Sequence, residues 1–228
     1  MDRNLLLIIV IFSSIIITFG SQLFITIIYG IYSKYENKKK INGKEAAKKV
    51  LESNNLSDIN IEEVSGYLSD HFDPRNLVIR LSRNNYQNDS IASVAVSCHE
   101  CGHAIQNSEG YKFMRIRSAI IPFVNFSSSF GYIAILIGFL FDFSSLFYLG
   151  IFFEVVILLF QIITLPVEFD ASKKALKEIE KNNLLEKDEL KKGRLVLIAA
   201  ALTYVASVAT TILEMLRLII SFSSRKDD

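Results

Sequence analysis

The chain has 228 residues, half of them hydrophobic, and its 25 basic and 24 acidic side chains leave a net charge of only +1. This balance gives no sign of a nucleic-acid-binding protein, and no glycine-rich phosphate loop, internal repeat or low-complexity tract is present. The overall composition conceals an uneven distribution, because most charged residues lie in a few segments between long apolar stretches.

Four apolar stretches are long enough to span a bilayer, which takes about 20 helical residues. They cover residues 5–31, 119–141, 145–167 and 195–222. The first is longer than a signal peptide, lacks a basic region beyond Arg3 and ends without a small-residue cleavage pattern. We therefore predict that it is a retained transmembrane helix.

Basic residues predict the orientation of these helices. Lysines are concentrated in residues 34–49, and lysines with Arg194 in residues 173–194, whereas the loop at 142–144 has no basic residue. Positive segments usually stay in the cytoplasm. Both basic segments are therefore expected inside and both termini outside, and the lysines are interpreted as solvated or in contact with lipid headgroups.

The most informative motif lies in the first segment between spans, where His99, Glu100 and His103 form His-Glu-x-x-His. Histidines four residues apart share one face of a helix, so both imidazoles can bind one metal ion. Zinc with three protein ligands keeps a position open for water and lowers the pKa of that water to roughly 7. These residues predict a hydrolase with Glu100 as general base. The alternative is a surface helix whose histidines bind nothing.

The context of the motif predicts a helix from about Ser90 to Gln106, with a polar cap at its start and apolar residues at helical spacing. Cys98 and Cys101 point away from the histidines on such a helix, so we interpret them as packing residues. A redox-active Cys-x-x-Cys pair is the alternative.

A third zinc ligand must come from elsewhere in the chain, whose one other histidine is His71. Glu168 follows Pro166 at the predicted cytoplasmic end of the third span, on the same side as the motif. Glu168 is therefore the leading ligand and Asp170 the reserve candidate. Alternatively, both are interfacial acids that a helix N-terminus favours.

The chain resembles the neutral zinc metallopeptidases of bacterial membranes (YugP-type), which are similar to the gluzincin class of integral membrane proteases. The resemblance spans nearly the whole chain and is carried by residues 66–75, 96–106, 165–169 and 202–206. It implies His99, His103 and Glu168 as zinc ligands and Glu100 as general base. Related gluzincins often have an aspartate four residues after the ligand glutamate, where it orients a zinc histidine. Ser172 stands there in this chain, so that role is weaker or belongs to another group.

Between the first span and the motif, we predict an amphipathic helix at 44–54 and two short strands, 66–71 and 77–82, joined around a turn at Asp73 and Pro74. One hypothesis is that a free edge of the second strand holds an extended peptide substrate beside the zinc helix. The alternative is an ordinary packing hairpin. His71 and Arg75 could assist at the oxyanion or belong to a solvated turn.

Three charged residues lie inside the predicted spans, where such groups are costly. Glu214 and Arg217 are three residues apart and can pair with each other. Glu154 is about 21 Å of helix from Glu168, too far to share its metal. We interpret Glu154 as a structural contact with the fourth span.

The predicted fold is mainly α: a four-span helical membrane protein with a small α+β cytoplasmic metalloprotease domain. The predicted organisation is a first transmembrane helix (1–33), a cytoplasmic catalytic segment (34–118), two further transmembrane helices (119–167), a cytoplasmic segment with the third ligand (168–194), a fourth transmembrane helix (195–222) and a tail (223–228).

The predicted function is zinc-dependent hydrolysis of peptide bonds at the cytoplasmic face of the plasma membrane. The expected cofactor is Zn²⁺, and the expected partners are a protein or peptide substrate and the lipid bilayer, without nucleic acid. The alternatives are a catalytically inactive zinc-binding scaffold and a small transporter. The transporter is disfavoured because the spans offer few polar groups for a continuous path.

Overall fold

The computed structural model describes residues 3–227, with side chains as far as Ser224. Within this range the chain forms seven helices and three short strands, as the mainly α prediction requires. In chain order they are α1 (Arg3–Tyr32), α2 (Gly43–Ser53), β1 (Asn60–Val64), β2 (His71–Asp73), β3 (Val78–Ser82), α3 (Arg83–Gln87), α4 (Ile91–Ser108), α5 (Lys112–Leu140), α6 (Ser144–Lys181) and α7 (Lys187–Asp227).

Four of these helices, α1, α5, α6 and α7, are long and apolar enough to cross a membrane, which confirms the predicted number of spans. Two of them continue well past the apolar stretches. Helix α6 runs through Pro166 to Lys181, and α7 begins at Lys187, so the segment predicted at 168–194 is almost entirely helical. Proline removes one backbone hydrogen bond inside a helix. In α6, tight packing of the turns after Pro166 keeps the chain helical. Four residues at i+4 spacing are fully buried there: Val167, Ala171, Ala175 and Ile179.

The contacts divide the chain into two compact units. The span unit comprises Met1–Gln22, Ile116–Leu165 and Thr203–Asp228, and the mixed unit comprises Leu23–Arg115 and Pro166–Leu202. In the span unit, α5 and α6 pack closely through glycines: a Cβ on Gly138 would lie 2.4 Å from the Phe147 nitrogen. Small residues of this kind allow transmembrane helices to approach.

The helices of the mixed unit begin at well-formed caps. Asn42 and Glu45 form a reciprocal capping box at the start of α2, and the Ser90 hydroxyl accepts from the Ser93 amide, 3.0 Å away, at the start of α4. Helix α2 buries its apolar face, as the amphipathic pattern predicts. The core of this unit collects side chains from α1, α2, α4, α6, α7 and the sheet.

The sheet differs from the predicted hairpin. Its order is β1-β3-β2, with β1 parallel and β2 antiparallel to β3. The strand predicted at 66–71 is wrong, because a loop with positive φ at Gly66 (117°) and Leu68 (53°) occupies residues 66–70. The free edge predicted for the strand at 77–82 is also wrong. Strand β3 is central and has partners on both sides, and it is buried on both faces except at Arg80.

Candidate metal centre

The two helices that carry the candidate ligands touch through their backbones within the mixed unit. A Cβ built on Gly102 of α4 would lie 2.5 Å from the carbonyl oxygen of Ala171 on α6. Glycine is thus required at this point of the motif for steric reasons. The contact places His99 and His103, one turn apart on α4, against Glu168 on α6.

Three ligand atoms converge at this contact. The Glu168 Oε2 atom lies 3.3 Å from His99 Nε2 and 3.6 Å from His103 Nε2, and the three side chains offer ligand atoms that all lie within 4.8 Å of one another. A tetrahedral zinc site with bonds of about 2.0–2.1 Å separates its ligand atoms by about 3.4 Å. Two imidazoles and one carboxylate are also a donor set typical of catalytic zinc. The residues therefore fit a zinc ion in both spacing and chemistry.

Burial makes this cluster electrostatically unusual. Glu168 is 2% exposed and His103 8% exposed. Burial by itself lowers the pKa of His103, but the hydrogen bond and negative charge of the Glu168 carboxylate outweigh it, so the pKa of His103 is raised. The buried carboxylate therefore attracts positive charge to the imidazole nitrogens, and a metal ion bound there would replace the proton.

Polar side chains on both helices orient the two imidazoles. The Ser172 hydroxyl lies 3.2 Å from His99 Nδ1, so the residue that stands in the place of the family's aspartate does contact a histidine. Gln106 Oε1 lies 3.0 Å from His103 Nδ1. An Nδ1–H donated to each of these oxygens leaves Nε2 of both histidines available for the metal.

Gln106 is the residue of this arrangement that sequence reasoning missed. It is fully buried, and its Nε2 donates to the carbonyl of Val167 at 2.8 Å and to Asp170 Oδ2 at 2.9 Å. A signal was present, because Gln106 follows His103 by three residues and so shares its face of the helix.

The other candidate ligands lie apart from the cluster. Asp170, the reserve ligand, contacts Gln106 and Lys174 and is outside the group of convergent ligand atoms found among the described residues. His71 is exposed, with its Nδ1 2.8 Å from the Ser69 carbonyl oxygen. The amide of Arg75 donates a hydrogen bond to Asp73 in the turn. This contact agrees with the alternative that Arg75 belongs to a solvated turn.

Glu100 and the two cysteines complete the motif. Glu100 is 7% exposed, and burial raises its pKa against the opposing effect of His99 and His103. A carboxylate with a raised pKa is suited to accepting a proton near neutral pH. Cys98 and Cys101 are both free and fully buried in the core, and burial raises the pKa of both thiols. The predicted packing role of the cysteines is confirmed.

Comparisons with known proteins identify the family of this chain. Residues 6–223 match a family model described as "Putative neutral zinc metallopeptidase". The chain is similar to "Putative membrane protease YugP" of Bacillus subtilis (strain 168), with 40% identity over 197 residues that cover 86% of this chain and 88% of the relative. No solved structure matches. The chain belongs to the neutral zinc metallopeptidase family, which confirms the resemblance inferred from its motifs.

Proposed function

We propose that this chain is a membrane-bound zinc endopeptidase that uses His99, His103 and Glu168 as metal ligands and Glu100 as general base. The single observation that carries the proposal is the convergence of two imidazoles and a carboxylate from α4 and α6, with Glu100 between the two histidines on α4. The family and the membrane-protease relative support the same class of reaction.

The chain's own residues then have distinct roles. A zinc ion held by the three ligands would polarise the substrate carbonyl and activate a water molecule. The Glu100 carboxylate accepts a proton from the water that attacks the carbonyl carbon, and it returns that proton to the nitrogen of the leaving amine. Its raised pKa brings the carboxyl closer to the acidity that both transfers require. Ser172 and Gln106 hold the imidazoles in the tautomer that presents Nε2.

We further propose that the reaction takes place at the cytoplasmic face of the plasma membrane on protein or peptide substrates. The support is the distribution of charge, since both segments that carry the candidate ligands are rich in lysine. The name of the relative, a membrane protease, supports membrane-associated substrates.

The mechanism is tested by replacing Glu100 and Glu168 separately in detergent-purified protein. Glu100→Gln is expected to keep bound zinc and to lose hydrolysis of an unstructured protein such as casein by about 10²-fold or more, because it removes the base and spares the ligands. Glu168→Ala is expected to lose zinc and activity together. Metal content and the cleavage rate are measured on the same samples.

Glu109→Gln is the matched control, because Glu109 is an exposed acid just beyond α4 that pairs with Lys174 at the surface. It should retain both zinc and activity. Hydrolysis by Glu100→Gln at the parental rate would refute the role of the base, and stoichiometric zinc in Glu168→Ala would refute the three-ligand site. Zinc binding without hydrolysis in the parent would favour the inactive scaffold.

A further inference from the structure

A polar cavity of about 250 Å³ lies between α1 and α7 in the span unit. All but one of its lining residues are serine, threonine or glutamine, although the two helices are apolar enough to cross a membrane. The residues that form most of its walls are Thr18, Ser21 and Gln22 on α1 and Ser207, Thr210 and Thr211 on α7. Several of them, including Thr18, Gln22 and Ser207, are exposed.

The cavity belongs to a longer polar seam between the same two helices. The Thr18 and Thr210 hydroxyls are 3.2 Å apart. One turn closer to the N-terminus of α1, the Ser14 hydroxyl donates to Glu214 Oε1 at 3.2 Å. Glu214 in turn accepts from Arg217, 2.7 Å away, as the sequence predicts. Hydrogen bonds therefore hold the two helices together beside the cavity, whose small polar side chains leave space between them.

The lining chemistry restricts what the cavity can bind. None of its lining residues is charged, so it offers no counter-charge to a metal ion or an anion. Hydroxyl and amide groups both donate and accept hydrogen bonds, and they complement a neutral ligand that carries donors and acceptors together. The peptide backbone is such a ligand.

A membrane protease has a specific need for this chemistry. A peptide bond is cleaved in an extended segment, and a membrane-embedded substrate must leave its helix there, which frees backbone N–H and C=O groups. Such groups are tolerated at membrane depth only where protein or a water-filled cavity satisfies them. The cavity volume corresponds to about eight water molecules at roughly 30 Å³ each. It suits a short extended stretch better than a helix of about 10–12 Å diameter.

We propose that this cavity binds the non-helical backbone of a membrane-embedded segment of the substrate. The proposal rests on the proposed protease function and names the substrate class: membrane proteins whose spanning segment unwinds readily.

The test measures protection of the cavity by a defined peptide. Ser207→Cys is combined with Glu100→Gln, so that no cleavage occurs, and the protein is reconstituted in phosphatidylcholine vesicles and labelled with a water-soluble maleimide. The probes are a synthetic single-span Leu/Ala peptide with a central Gly-Pro pair and a twin with Leu-Leu instead. At a concentration about nine times its Kd, the Gly-Pro peptide occupies 90% of sites and slows labelling about tenfold. The twin is expected to leave the rate unchanged.

Two controls keep the result specific. The native thiols of Cys98 and Cys101 are fully buried and give little background. Val205→Cys places a thiol on an exposed position of α7 outside the cavity lining, and the Gly-Pro peptide should not change its labelling rate. Thr210→Val with Thr211→Val removes two hydroxyls at almost constant volume and should weaken the protection, with retained zinc content and helicity as evidence of folding.

Three outcomes would overturn the proposal: no labelling of Ser207→Cys, equal protection by both peptides, or protection by neither. The first means that water does not reach the cavity, the second that it binds intact helices, and the third that the seam only joins α1 to α7. Because the readout is binding in a protein without Glu100, these outcomes are independent of whether the proposed hydrolysis is correct.

Discussion

Gln106 contacts both helices that carry the candidate ligands. Its amide oxygen faces His103 Nδ1, and its amide nitrogen donates to the Val167 carbonyl, next to Glu168 in the chain, and to Asp170. One buried side chain therefore fixes the orientation of one ligand and the position of the backbone beside another. Groups that orient metal ligands in this way typically contribute 10–100-fold to metal affinity.

Replacing Gln106 by methionine is expected to weaken zinc binding by about 10–100-fold, because the substitution keeps the length of the side chain and removes all three hydrogen bonds. Competition with a chromogenic chelator measures the affinity directly. Asp170→Ala, which removes one of the three bonds, should cost less. Equal zinc affinity in the parent and Gln106→Met would contradict the positioning role.

His103 is expected to make the stability of the zinc-free protein depend on pH. The Glu168 carboxylate raises the pKa of His103 above its usual value of 6.5 in the folded protein. The resulting stabilisation is complete below pH 6.5 and is lost as the pH rises through the raised pKa. Zinc affinity should change in the opposite direction, because protons compete with the metal for the imidazole.

Thermal unfolding of chelator-stripped protein between pH 6 and 9 tests this dependence. The melting temperature should fall over this range, and the fall should shrink in Glu168→Gln, where the buried negative charge is absent. A melting temperature that rises with pH in the stripped parent would show that the proposed ion pair does not contribute to stability.

At the scale of elements, the contact between α4 and α6 leaves no room for a side chain at Gly102. Gly102→Ala is expected to push the helices apart, because its Cβ would meet the Ala171 carbonyl at 2.5 Å. Overpacking of this kind costs about 1–3 kcal/mol, and the displacement should also reduce zinc affinity. Both are measured by thermal unfolding and zinc titration.

Gly193→Ala is the matched control for this prediction. A Cβ there would lie 3.3 Å from the end of the Leu185 side chain, which can move, and alanine is favoured over glycine inside a helix. It should leave zinc affinity and stability unchanged or slightly improved. If both glycine variants behave alike, close approach of α4 and α6 is not what the site requires.

The elements differ in how far the sequence predicts them. The motif helix is predicted almost to the residue, because its cap at Ser90 and its apolar spacing are local signals. Strand β1 was missed, since Asn60–Val64 contains two glutamates and pairs with β3 only through a contact distant in sequence. The sequence around Pro166 does not decide whether one helix continues through it, because buried packing on the following turns outweighs the local effect of proline.

The candidate site also combines residues that local sequence patterns predict with contacts that depend on tertiary structure. Two histidines and a glutamate on one helix can be recognised from spacing alone, and Glu168 was reached through the predicted topology of the spans. The contacts of Ser172 with His99 and of Gln106 with Val167 and Asp170 could not be assigned from sequence, because they depend on the register between α4 and α6. That register is set by the approach of Gly102 to Ala171, which no local pattern specifies.

At the scale of the whole molecule, the charge distribution predicts the side of the membrane on which the chemistry occurs. Phe143, between α5 and α6, is expected outside, and Glu186, between α6 and α7, in the cytoplasm. A membrane-impermeant maleimide should therefore label Phe143→Cys in intact cells, and Glu186→Cys only after permeabilisation. The reverse pattern would place the candidate metal centre outside the cell.

The two buried cysteines of the motif make opening of the mixed unit measurable. Both thiols are inaccessible and have raised pKa values, so an alkylating reagent can reach them only in molecules that have transiently opened. The rate of alkylation then reports the population of open molecules without any added label. Zinc that binds only the closed form should slow alkylation in proportion to its occupancy, so one thiol assay can follow metal loading and local unfolding together.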